Sequence, residues 1–347
     1  MRKSEYLLWM AENTETIWCN DSALESDIRD ALLYGATGCT SNPPLTYEAL
    51  TTEPWLYKEA VDAIPGEIKG DDRVVELIGI VVRYIAGLLR ETYDRTAGEC
   101  GYIRTQVRPE IGRDADAMLK MGMVFASWGR NVKVKIPGTN AGMWVLEELA
   151  AMGVPTNPTV NTTVSQMTAA AEAYERGVER ARAKGIKPAP STSAIVIGRL
   201  QDYLSALNDE RKAELTRHDL ECASLAVAKR TWRIFNEKGY RQIIMPAAFR
   251  CAWHVEQLAG SRTMMTIHPK IQEEIIKAEA EGNIRRGSFI DEPVDKAVLD
   301  KVMKALPEYE LAYEPDALAG EDFDRYGATV MTLEAFDRTG WQRLKTL

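Results

Sequence analysis

The sequence has little cysteine, no long basic run and no long uninterrupted apolar stretch. Its five cysteines, at positions 19, 39, 100, 222 and 251, are odd in number and form no CxxC pair, which excludes a disulfide framework and a zinc knuckle and points to a reducing compartment. Lysine and arginine total 43 against 51 acidic residues, a formal charge of −8. That balance argues against nucleic acid or an anionic membrane surface as partner, although local arginines can still hold a small anion. The most apolar segment, LIGIVVRYIAGLL (77–89), is broken by Arg83 and is far shorter than a membrane span. At the start, Glu12 arrives too soon for a secretory apolar region, so a soluble cytoplasmic protein is expected. No internal repeat or low-complexity segment is visible. At 45% hydrophobic and 27% charged residues over 347 positions, the chain can bury a sizeable core, in two domains or as one large α/β barrel.

Short β-rich runs recur along the chain, each followed by a stretch that suits a helix. They are TIWCN (16–20), GATGCTSN (35–42), GYIRTQV (101–107), NVKVKIPG (131–138), VPTNPTV (154–160), TSAIVIG (192–198), RQIIMPAA (241–248) and RTMMTIHP (262–269). Helical patterns such as 114–129, 140–153, 164–185 and 214–239 lie between them. Eight alternations predict an α/β fold, a single (β/α)8 barrel over 1–347, in preference to a doubly wound sheet. The stretch 46–95 exceeds one barrel helix and reads as a helical insertion, and the region from about 290 to 347 reads as helical decoration.

Barrel chemistry gathers at the C-terminal ends of strands, where inward and outward residues alternate. In NVKVKIPG, Val132, Val134 and Ile136 share one face, which leaves Lys133 and Lys135 on the other, with Lys135 nearer the C-terminal end. A lysine there is either a strand-end side chain reaching to water or a desolvated amine able to attack a carbonyl. Asn20, Asn42, Gln106, Asn157 and Thr159 also fall at run ends and could converge on one rim, although Asn42 and Asn157, each before a proline, equally suit turns. Arg199 and Arg250 follow the sixth and seventh runs, where helix N-termini would help them hold a phosphate; surface ion pairs are the alternative.

Several segments together resemble the transaldolase family. GCTSNPPL (38–45) is similar to its TTNPSL segment, VKIPGTNAG (134–142) to its IKIPAT Schiff-base strand, and GVPTNPTVNTTVSQ (153–166) to its following asparagine and threonine segment. IVIGRLQDY (195–203) resembles the phosphate-binding VGRI segment, and 243–269 resembles the late MGASFR to LTI stretch. The closing YGATVMTLEAFDRTGWQRL resembles the tail of the longer bacterial members. The resemblance implies a (β/α)8 enzyme that moves a dihydroxyacetone unit between sugars or sugar phosphates through a lysine Schiff base, with neither metal nor organic cofactor. It puts the Schiff-base lysine at Lys135, the ketose-holding asparagine at Asn42, the fifth-strand pair at Asn157 and Thr159, the latter orienting the catalytic water, and the phosphate-binding arginines at Arg199 and Arg250.

The departures bear on mechanism. The family's first-strand aspartate, which takes a proton from the substrate hydroxyl during cleavage, aligns best with Asn20, whereas Asp21, the next residue, has the chemistry and is the expected base, reaching the site only if the strand ends or bulges at Asn20. The family's third-strand glutamate is Gln106, which resembles the fructose-6-phosphate aldolase branch. A serine expected before the sixth-strand motif falls on Ala194, with Ser193 beside it as the candidate substrate-binding hydroxyl. The alternatives to a transferase are therefore a plain aldolase and a sugar-phosphate binding barrel without catalysis. The residues leave the donor sugar, the need for phosphate and any homo-oligomer open.

Overall fold

The computed structural model describes residues 4–347, so the basic pair Arg2 and Lys3 lies outside the described residues. Eight short strands run parallel: β1 (Ile17–Asn20), β2 (Cys39–Thr40), β3 (Ile103–Gln106), β4 (Val132–Pro137), β5 (Thr156–Thr159), β6 (Thr192–Val196), β7 (Ile243–Ala247) and β8 (Met264–Ile267). Six of them form one sheet in the order β5-β4-β3-β2-β1-β8, and β6 and β7 form a second ladder. Single parallel bridges, Thr156 to Ser191 and Asn161 to Ile195, link the two beside β5. Among the described residues no ladder joins β7 to β8.

Helices separate the strands and bury the apolar face of each. Trp18, Ile195, Ile244 and Met265 pack outward with Met167, Leu200, Leu225 and Val227 of the surrounding helices. Ile103 and Val132 pack on the helix Gly70–Leu88, and Val134 and Ile136 pack on Phe125 and Leu149. The opposite strand faces meet each other: Cys19, Ala194, Met245 and Met264 form one apolar group. Both faces of every strand are thus covered, as parallel sheets require.

Every run is shorter as a strand than the sequence pattern implies, and in two of them the strand is cut off by a helix that begins early. The 35–42 run keeps only Cys39–Thr40 as strand, because Asn42 already caps the helix Pro43–Thr52, its Oδ1 accepting from the Leu45 amide at 3.0 Å. In the 192–198 run Ile197 and Gly198 open the helix Ile197–Arg211. Gly198 is demanded by close approach, since a Cβ there would lie 1.8 Å from the Ala248 carbonyl oxygen and 2.6 Å from Arg250 Nη1.

The 46–95 region contains the helices Lys58–Asp62, Gly70–Leu88 and Arg90–Arg95 after the end of Pro43–Thr52. Beyond 290 the chain forms Lys296–Ala305, Glu308–Tyr313, Asp322–Arg325 and Gly327–Phe336, followed by a π-helical turn, Asp337–Trp341. That last segment does more than decorate. Gly340 presses its backbone on Pro43 and Pro44, where a Cβ would lie 2.3 Å from the Pro44 nitrogen. Trp341 is fully buried and donates its indole N–H to Asp71 at 2.8 Å. Among the described residues no helix is long and apolar enough to cross a membrane.

Candidate active site

Alternation along β4 sends Val132, Val134 and Ile136 to the helix layer and turns Lys133 and Lys135 toward the strand interior. Lys135 lies beside Gln106 on β3 and Asn157 on β5 in the ladder register. It is 7% exposed, and its Nζ donates to the Ser41 carbonyl at 3.3 Å. Burial pulls its pKa from 10.5 to about 8; Asp21 pushes the other way, Arg104 adds to the lowering, and Cys39 opposes it. Lys133, one step deeper, is driven well below its ordinary value by burial and then by Arg104, and its Nζ sits 4.6 Å from the Tyr102 ring centre.

A cavity of about 70 Å³ opens over Lys135. Asp21, Thr40, Asn42, Asn157, Thr159 and Arg199 line it with Lys135, and Ala194, Val196, Met245, Ala247 and Phe336 supply apolar wall. A larger open groove, about 440 Å³, runs between Pro109–Arg113 and the last long helix, but it offers no nucleophile beside a base. The smaller cavity carries the chemistry.

The first strand ends at Asn20, one of the two conditions under which the sequence brings Asp21 to the site. The other, a bulge, is absent, since the pairing steps without interruption from Ile17–Met264 to Asn20–Ile267. Cys19 faces the interior, and strict alternation therefore turns Asn20 outward and Asp21 inward. Asn20 accepts from Gln272 Nε2 at 2.9 Å, in the helix layer, and is corrected as a site candidate. Asp21 lines the cavity, its Oδ1 accepting from the Thr40 hydroxyl at 2.5 Å; that hydroxyl also lies 2.6 Å from Thr266 Oγ1.

The same rule corrects Ser193. Its hydroxyl lies 3.3 Å from Met167 Sδ, outside the interior, while Ala194 and Thr192 face inward. Asn157 points in, its Nδ2 donating to Thr192 Oγ1 at 3.1 Å and its buried Oδ1 having no protein partner. Gln106 shares the Lys135 face, and both polar atoms of its buried amide lack a protein partner. It does not line the 70 Å³ cavity itself.

Arg199 and Arg250 meet around Asp202. Arg250 donates to both carboxylate oxygens, at 2.9 and 2.5 Å, and to the Ala248 carbonyl at 2.8 Å. Arg199 reaches the same carboxylate at 3.7 Å and stacks on Phe336, 5.2 Å from the ring centre. Burial and Arg250 work against the Arg199 charge, and Asp202 supports it. Arg199 lines the cavity whereas Arg250 stands behind it, held by Asp202.

The sequence reading missed Thr40, Phe336, Asp202 and Arg104. Thr40 lies two residues before Asn42, so alternation could have found it. Asp202, three residues after Arg199, was within reach of helical spacing. Phe336 comes from the far end of the chain and gave no local signal.

Parallel strands that end on a cavity holding a buried, readily deprotonated lysine and a carboxylate define an α/β protein equipped for carbonyl chemistry through an amine. A family model described as Transaldolase/Fructose-6-phosphate aldolase matches residues 17–316, and the chain belongs to that family. Relatives include Transaldolase 1 of Streptomyces avermitilis, 27% identical over 58% of this chain and 54% of its own length. A transaldolase of Thiobacillus denitrificans is 27% identical over 66% of this chain and 64% of its own, and one of Trichodesmium erythraeum is 26% identical over 70% and 67%. The chain thus spans roughly half to two thirds of the length of these relatives.

Proposed function

We propose that the protein is a transaldolase-like class I aldolase of the cytoplasm, its eight strands closed into one (β/α)8 barrel and its nucleophile Lys135. Closure is supported by Arg104 on β3, which touches side chains of β1, β6 and β8 at once. The observation that carries the chemistry is the Lys135 amine buried in one cavity with Asp21, where burial pulls its pKa down to about 8.

The free amine adds to the carbonyl carbon of a ketose, water leaves, and an iminium forms on Nζ. Asp21 takes the proton of the hydroxyl on the carbon beyond the scissile bond. That bond then breaks, its electron pair moves into the iminium to give a neutral enamine, and an aldehyde departs. The enamine either attacks an acceptor aldehyde, completing transfer, or takes a proton and is hydrolysed to free dihydroxyacetone. Asn42 and Asn157 hold substrate hydroxyls, and Thr159 and Gln106 hold the water. Arg199 and Arg250 receive a phosphate, which must compete with Asp202 for them.

Reduction with borohydride in the presence of ketoses and ketose phosphates, followed by peptide mass spectrometry, tests this reading. The added mass is expected on Lys135, and equal labelling of wild type and Lys135→Met refutes the assignment. The second reading, a plain aldolase, is favoured by one observation: the third-strand group beside Lys135 is the amide of Gln106 instead of a carboxylate. Product formation without any acceptor aldehyde would identify it.

A further inference from the structure

Below the cavity lies a charge that the proposed mechanism does not use. Arg104 is 1% exposed and shares the inward face of β3 with Gln106, one step beneath the Lys135 level. Its guanidinium donates to Thr192 Oγ1, Cys19 Sγ, the Tyr102 carbonyl and Met264 Sδ, the last at 2.7 Å. None of these partners is a carboxylate. A guanidinium keeps its proton in proteins, and enclosing one without a counter-ion is costly. Its β4 neighbour in the register is Lys133, which burial holds toward the neutral form, so Arg104 is the lasting positive charge of this layer.

We propose that Arg104 is a positioning residue for the chemistry at Lys135: its unneutralised guanidinium biases Lys135 toward the free amine and drives the iminium on Nζ toward the neutral enamine. The inference rests on the Schiff-base reading and adds the reason for this chain's burial of a second cation. Carbon–carbon cleavage removes the positive charge from Nζ, so a fixed cation nearby is repelled less after cleavage than before it. The electron sink is thereby deepened. The other titratable or charged groups around this layer and the cavity are Cys19 from β1 and Asp21 just after it, Cys39 from β2, Cys100 and Tyr102 from the approach to β3, Lys133 from β4, Arg199 from the helix after β6, and, behind Arg199, the Arg250–Asp202 pair. Among the described residues, strands β5, β7 and β8 present Asn157, Thr159, Met245, Ala247, Met264 and Thr266 to it, none of them titratable. Asp21 is the opposing anion, and it touches Thr40 without reaching Arg104 through any hydrogen bond.

The test follows the pH dependence of Lys135 labelling by dihydroxyacetone and cyanoborohydride in wild type, Arg104→Met and Met264→Glu. The second variant puts a carboxylate where Met264 Sδ now meets Arg104, neutralising the charge in place and keeping the arginine. Both variants are expected to move the midpoint of labelling upward by about one pH unit, which lowers the rate at pH 7 about tenfold and leaves the rates alike at high pH. A merely structural loss would slow labelling at every pH without moving the midpoint. If Arg104→Met does not fold, Met264→Glu decides alone. Labelling of Lys135 with an unmoved midpoint overturns the role of Arg104 and spares the Schiff base. Absence of label on Lys135 in wild type at every pH overturns both.

Discussion

Replacing Lys135 by methionine should abolish activity and at the same time stabilise the protein. The side chain is buried, and its pKa falls from 10.5 to about 8, chiefly through burial. Below pH 8 the folded state therefore encloses an ammonium that it disfavours, at a cost of about 3 kcal/mol. The unfolded chain binds more protons than the folded one between pH 8 and 10.5, so wild-type stability rises through that window. Methionine keeps most of the volume and removes the titration. Urea unfolding should show Lys135→Met more stable by about 2–3 kcal/mol at pH 7, and by only about 1 kcal/mol at pH 9.5. Lys133 and Lys229, whose pKa values are also lowered, are present in both proteins and cancel in the difference. A stability gap that is absent at pH 7, or that does not shrink as pH rises, would refute the claim that the lysine is held against its charge.

Asp21→Asn should cut turnover by roughly 10²–10⁴ while borohydride labelling of Lys135 survives, whereas Asn20→Ala should cost about 1 kcal/mol of stability through its lost bond to Gln272 and leave turnover nearly unchanged. Arg199→Ala and Arg250→Ala should each raise KM for a phosphorylated donor about tenfold or more and barely affect unphosphorylated sugars; indifference to both kinds of donor would reduce the arginines to ion pairs with Asp202. Phe336→Ala, which removes the ring stacked on Arg199 and part of the cavity wall, should raise KM for a phosphorylated donor severalfold, and truncating the chain before Gly327 should do the same more strongly.

Lys135 was legible because β4 contains its own reference. Three β-branched residues at 132, 134 and 136 state which face meets the helices, so the lysines between them must face the other way. The motif order added Asn42, Asn157, Thr159 and Arg199, all of which line the cavity. The first and sixth strands lack such a reference. IWCN and TSAIV place small, polar and apolar residues on both faces, and a phase error of one residue exchanges inside for outside. That is why the sequence offered Asn20 beside Asp21 and Ser193 beside Ala194 as rim residues, where only Asp21 and Ala194 of the two pairs line the cavity. The roles of Phe336 and Arg104 belong to tertiary structure alone. Phe336 reaches Arg199 across 137 positions of chain, and Arg104 is enclosed only because Cys19, Thr192 and Met264 come from strands far apart in sequence. Local pattern records which face a residue takes; which distant side chains it meets there is set by how the strands are brought together.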